Sequence, residues 1–142
     1  MIVVDAMILA YALIEVPDQT SAVNKLLDQD LVWCAPPLWR SELRNVLLQY
    51  VRAVAGDQPG TALTLDDARR KMDIAETLIG ERTFSVNSGA VLSTADETGL
   101  SAYDSEYVVL AREMEVSLLT TDRAILQEVP DVAVHPKNAE TR

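Results

Sequence analysis

The chain has a single cysteine, Cys34, so it can form no internal disulfide and no cysteine-based zinc cage. It has one histidine, His135, with no acidic or cysteine pattern around it, which reads as a surface residue rather than a metal ligand. Aromatic residues make up 5% of the sequence. Trp33 and Trp39, on either side of Pro36-Pro37, read as core or interface anchors rather than as base-stacking platforms. No apolar run approaches the roughly 18 residues that cross a bilayer, and Asp5 and Glu15 break the apolar opening stretch in a way a secretory signal disfavours. A cytoplasmic protein with no membrane partner is expected. Positive charge is also scarce: 12 Lys and Arg stand against 22 Asp and Glu, a net charge of -10. Broad nonspecific binding of nucleic acid is disfavoured, because phosphates are normally met by a basic footprint. Two arrangements remain compatible with a nucleic-acid substrate. Divalent cations held by clustered carboxylates would supply local positive charge, or the acidity would serve a basic protein partner.

What is present suits one globular unit. The 142 residues, 49% hydrophobic and 24% charged, are enough to close an apolar core, so a single domain over 1–142 is expected, with a flexible tail from Asn138 to Arg142. Ile2-Val3-Val4 predicts a strand, Met7 to Ile14 a helix, and a second helix follows Pro17 and Asp18 through Leu27. Leu31 to Cys34 predicts a buried strand that Pro36-Pro37 stops. A long helix then runs from Pro37 to about Val54, ended by Gly56 to Gly60. Thr64 and Asp67 have capping-box spacing and open a helix to Ile79, closed by Gly80. A strand is expected at Thr83 to Val86, a helix from Asn87 to Asp96 closed by Gly99, and another from Ser101 to Glu115. Val116 to Leu119 predicts a strand, Asp122 to Gln127 a short helix, and Val132 to Val134 a last strand. Alternating strands and helices predict an α/β fold with a largely parallel sheet.

Four acids stand where acids are unusual. In the helix from Pro37, Trp39, Leu43, Val46, Leu47, Tyr50, Val51 and Val54 recur at spacings of three and four, and Glu42 falls inside that stripe. An unpaired carboxylate there is costly unless it faces a cleft or a rim. Asp104 stands in the same relation to Tyr107, Val108, Ala111 and Met114, although with Ser101 it also fits a capping box. Asp5 and Asp122 each follow an apolar strand and precede a helix. Helix capping explains either one singly, but strand C-terminal ends are also where parallel α/β sheets bind ligands. Four carboxylates at one edge repel one another unless a cation lies between them. Mg²⁺ and Mn²⁺ prefer oxygen ligands, and they favour water attack on phosphodiesters.

The segments Val3-Val4-Asp5-Ala6, Ser41-Glu42-Leu43-Arg44-Asn45-Val46-Leu47, Ala102-Tyr103-Asp104-Ser105-Glu106-Tyr107 and Leu119-Thr120-Thr121-Asp122-Arg123 together resemble the ordered motifs of PIN domains. The likeness runs over nearly the whole chain and is greatest to the short VapC-like toxins of type II toxin–antitoxin pairs. It implies a three-layer α/β/α sandwich and a Mg²⁺- or Mn²⁺-dependent endoribonuclease, a hydrolase of RNA phosphodiesters. Residue by residue, Asp5, Glu42, Asp104 and Asp122 fall on the family's metal-binding catalytic acids and Thr120 on its hydroxyl position. Asn45 and Arg123 are supporting candidates, with Arg44 and Arg112 further candidates for steering RNA. A cognate antitoxin and a homodimer are implied as partners. One departure stands out: Met7 occupies a position where the family often carries Ser or Asn, which takes away a polar contact. The alternative is a catalytically silent PIN-like module that acts by binding a protein. Two other acid-using folds fit less well. Asp5-Ala6-Met7 does not supply the Asp-x-Asp of aspartate-nucleophile phosphatases, and Lys137 is a poor match for the late Lys of receiver domains. The run Arg69-Arg70-Lys71, beside Asp66, Asp67 and Asp73, reads as a salt-bridged solvated face.

Overall fold

A computed structural model describes residues 1–29, 31–53 and 62–139. In chain order the elements are β1 (Ile2–Val4), α1 (Ala6–Leu13), α2 (Thr20–Leu27), β2 (Trp33–Cys34), α3 (Leu38–Arg52), α4 (Leu65–Ile79), α5 (Ser88–Thr98), α6 (Ala102–Met114), β3 (Leu118–Leu119), α7 (Arg123–Glu128) and β4 (Ala133–Val134). A 3-10 turn at Gly80–Arg82 follows α4, and another at Pro136–Asn138 follows β4.

The strands form one sheet in the order β2-β1-β3-β4, and every pairing is parallel. Successive side chains of a strand point to opposite faces, yet Ile2, Val3 and Val4 are all buried, so the sheet is covered on both sides. α6 packs on β1 and β3 with α5 against it, while α1, α3 and α4 pack together and α4 reaches β2. This is the expected three-layer α/β/α arrangement. The core includes Trp33 and Trp39, both fully buried, and the Trp39 indole N–H donates to Thr83 Oγ1 at 2.9 Å.

Local chemistry places most of the helix ends. At α4 the capping box is complete: the Asp67 N–H donates to Thr64 Oγ1 at 3.1 Å and the Thr64 N–H to Asp67 Oδ2 at 3.0 Å. Asn87 caps α5, and Gly99 ends that helix at φ 74, a left-handed conformation that costs glycine little. The expected end of α3 at Val54 and the turn Gly56 to Gly60 lie outside the described residues, as do the last three positions of the expected tail.

α2 begins at Thr20, just after Pro17 and Asp18 as expected; Asp18 takes φ 70 and the Thr20 hydroxyl ties the preceding loop by accepting from the Val16 N–H and donating to the Ile14 carbonyl. Several other boundaries differ from expectation. β2 is limited to Trp33–Cys34; Leu31 and Val32 are exposed before it. Thr83 to Val86 is not a strand, and only one parallel bridge, Ala35 to Thr83, forms there. Arg82 holds that edge instead, donating to the Trp33 carbonyl at 2.8 Å. β3 starts at Leu118, after Glu115 closes α6 in the left-handed region, and Gly80 continues into a 3-10 turn. The Arg69 to Lys71 run is only partly a solvated face: Arg69 pairs with Asp66 at 3.0 Å, but Lys71 donates to the Leu13 carbonyl at the end of α1.

Candidate active site

The register of the two central strands builds the site. Val4 pairs with Leu119, so the next residues, Asp5 and Thr120, emerge side by side at the C-terminal edge of the sheet. From that edge β1 connects toward β2 on one side and β3 toward β4 on the other. Between β1 and β3 lies the crevice where open parallel sheets hold their ligands. A cleft of about 280 Å³ opens there, lined by Asp5, Met7, Glu42, Asn45, Asp104 and Asp122 among others. The structure thus gathers all four acids singled out in the sequence around one cavity. Among the described residues, no Lys, Arg or His lines it.

Each acid is positioned differently. Asp5 is the N-cap of α1: Oδ1 accepts from the Ile8 N–H at 3.0 Å, while Oδ2 accepts from the Thr120 hydroxyl. Asp122 is the N-cap of α7 through Oδ1, which accepts from the Ile125 N–H at 3.0 Å. Capping and cleft placement coincide at both positions. Glu42 sits in the second turn of α3 beside the buried Trp39 and Leu43, half-buried itself, and its Oε1 accepts from the Tyr107 hydroxyl at 2.5 Å. Asp104 sits in the first turn of α6, where its N–H donates to Ser101 Oγ at 3.0 Å. Among the described residues the reciprocal bond of a full capping box is not made there, in contrast to Thr64 and Asp67.

The electrostatics follow from this crowding. Burial pushes the Asp5 carboxyl up to about 6, the Glu42 and Asp122 charges add to the rise, and the hydrogen bonds from Thr120 and Ile8 oppose it. Burial also raises Glu42, against the Tyr107 hydrogen bond, with Asp104 and Glu106 adding to the rise. Asp104 is raised by burial and then by Asp122, with Ser101 opposing. Tyr107 is driven far above the usual phenol range by burial and by the adjacent Glu42, so it stays a neutral donor.

Among the described residues, no group of three or more acid, histidine or cysteine side chains is drawn together tightly enough to hold a metal ion by itself. The donor set still fits a hard divalent cation. It consists of carboxylates with no thiolate or imidazole, and such ions keep several waters that reach more distant oxygens. The residues that would hold it are Asp5, Glu42, Asp104 and Asp122.

The supporting candidates divide. Thr120 is buried beneath the cleft and touches both Asp5 and Asp122, and Asn45 lines the cleft one turn beyond Glu42. Arg123 is exposed and outside the lining, Arg44 borders a separate groove with Leu48 and Val51, and Arg112 pairs with Asp131 at 3.6 Å. Tyr107 was legible in the sequence only as an apolar core position. Its hydroxyl partner lies 65 positions away, and no local pattern announces it.

No family model matches the chain, and no curated protein matches its sequence significantly. Solved structures do match in fold. PAE2754 from Pyrobaculum aerophilum aligns over 96% of this chain and 83% of its own, with TM-score 0.69 and 21% identity. FitAcB from Neisseria gonorrhoeae aligns over 98% of this chain and 100% of its own, with TM-score 0.62 and 16% identity. VapBC2 from Rickettsia felis, bound to a DNA fragment from its promoter, aligns over 95% of this chain and 98% of its own, with TM-score 0.59 and 15% identity. At these identities the likeness is one of fold, and the fold of this chain is the PIN-like α/β/α fold of those structures.

Proposed function

We propose that the chain is a Mg²⁺- or Mn²⁺-dependent endoribonuclease, a VapC-like toxin whose catalytic cleft is built from Asp5, Glu42, Asp104 and Asp122. The observation that carries this reading is the convergence of four carboxylates on a cleft that, among the described residues, no basic side chain lines. Burial and mutual repulsion raise Asp5, Glu42 and Asp104, an arrangement that is costly without a cation and useful with one. A divalent cation bound there would supply positive charge to the phosphodiester and favour attack by water.

The chain's own residues have distinct tasks. Asp5, Glu42 and Asp104 would hold most of a bound cation's charge, with Asp122 acting directly or through water. Thr120, hydrogen-bonded to Asp5 Oδ2 and to the Asp122 N–H, keeps those two acids at a fixed separation. Asn45 offers a neutral polar group to the RNA backbone without adding to the repulsion. The acidic surface is matched by a basic antitoxin segment, a partner class supported by the fold likeness to FitAcB and VapBC2 and by the motif resemblance. A homodimer belongs to the same proposal.

One observation favours the competing reading of a silent partner-binding module: both oxygens of Asp5 already accept hydrogen bonds from the protein. Cleavage of a mixed RNA pool by the purified chain, with Mg²⁺ or Mn²⁺ and beside a chelator control, separates the two. Cutting that needs the cation and disappears in Asp5→Asn is the expected result. Cutting that survives both chelator and substitution, or no cutting of any RNA, sinks the nuclease reading.

A further inference from the structure

α3 and α6 each carry one of the cleft acids, yet they pack on different neighbours. α3 lies against α1 and α4, whereas α6 lies against α5, β1 and β3. Among the described residues a single side-chain hydrogen bond joins the two helices, from the Tyr107 phenol to Glu42 Oε1 at 2.5 Å. Tyr107 stands one turn beyond Asp104 on α6, so this bond links the backbone that carries Asp104 to the carboxylate of Glu42. On its other side α3 is already held, because Arg40 donates to both oxygens of Glu76 on α4 at 2.6 and 2.9 Å. Packing alone does not require the hydroxyl. The ring is buried like its neighbours Val108 and Ala111, and phenylalanine would fill the same space. What the hydroxyl adds is a fixed donor for one oxygen of a flexible side chain, leaving Glu42 Oε2 without a protein donor among the described residues.

We propose that Tyr107 is a positioning residue: its hydroxyl holds Glu42 so that the span between the Glu42 and Asp104 carboxylates is set before a divalent cation arrives. This rests on the reading of the cleft as a cation-dependent nuclease site. Groups that orient a ligand from behind typically change metal affinity or activity about 10- to 100-fold when removed.

The test is Mn²⁺ binding to the full-length chain by titration calorimetry, comparing the unmodified protein with Tyr107→Phe, Glu42→Gln and the double variant, each melted in parallel by circular dichroism. Tyr107→Phe is expected to weaken Mn²⁺ binding roughly 10-fold or more while keeping a cooperative melt. Added to Glu42→Gln it should weaken binding no further, because its effect passes through Glu42. Binding by Tyr107→Phe as tight as the unmodified chain, or an equal loss in both backgrounds, overturns the positioning role and leaves the nuclease reading intact. Absence of Mn²⁺ binding by the unmodified chain overturns the nuclease reading itself. Should Tyr107→Phe melt below the assay temperature, Glu42→Asp carries the same test: it keeps the charge but draws the carboxylate away from the hydroxyl. An affinity equal to that of the unmodified chain would then overturn the role.

Discussion

One hydroxyl serves two acids across the central strands: Thr120 Oγ1 donates to Asp5 Oδ2 and accepts the Asp122 N–H at 3.0 Å. Thr120→Val keeps the shape and removes both bonds. Without that donor the Asp5 carboxyl rises above its present value of about 6, so the acidic limb of the pH–rate profile for RNA cleavage should move to higher pH. Stability should fall by about 1–2 kcal/mol, since a buried carboxylate loses a partner. A profile that keeps its acidic limb in place would show that Asp5 does not govern it.

Asp5 also sets a pH dependence of stability. Its folded value of about 6 lies above the ordinary 3.8, so the folded chain holds this proton more tightly than the unfolded one. The contribution is fully present below about pH 4 and is lost as pH rises through 6, a change of roughly 2–3 kcal/mol. Asp5→Asn retains a capping oxygen and carries no charge. In chelator at pH 7.5 the variant should melt several degrees above the unmodified chain, and the gap should close by pH 4. Added Mn²⁺ should raise the melting temperature of the unmodified chain more than that of the variant. A variant that melts lower at pH 7.5 would refute the assigned cost of burial.

At Asp122 the cap and the cleft can be separated. Asp122→Asn preserves acceptance from the Ile125 N–H and should leave stability within about 0.5 kcal/mol, whereas Asp122→Ala should cost about 1 kcal/mol. Both variants should lose RNA cleavage, by roughly 10-fold or more. Full activity in Asp122→Asn, measured as kcat/KM, would leave this acid with the cap alone.

Gly99, two positions before the Ser101 cap of α6, offers a test of backbone conformation. A Cβ there would meet nothing within 4 Å, so Gly99→Ala tests only the left-handed backbone at φ 74. A loss of about 1 kcal/mol in denaturant melts is expected.

Much of this was legible in the sequence because the signals are local. A β-branched run, an acid and then an apolar helix identify Asp5 at a strand end, and Thr64, Asn87 and Ser101 announce their helices by capping chemistry. The edge segment Thr83 to Val86 misled because its composition suits a strand, while the neighbouring strand is only two residues long and Arg82 occupies the carbonyl of Trp33. The start of α2 was legible from Pro17 and Asp18, which stand just before it. In the cleft, Glu42 and Asp104 could be found because carboxylates in apolar stripes are costly, and Asp5 and Asp122 because each stands at a strand end before a helix. Tyr107 could not, because its spacing among Val108 and Ala111 is that of any core aromatic.

The pairing of β1 with β3 has a consequence in time. Asp5 and Thr120 meet across 115 positions, and a chain is synthesised from its N-terminus. Asp5 and Glu42 leave the ribosome long before Asp104 and Asp122 are made, and β1 lacks its β3 neighbour until then. A half-made chain therefore has two of the four acids and no cleft. On the proposed nuclease reading, such a chain could not cut the ribosome or message that is producing it until most of its length had emerged.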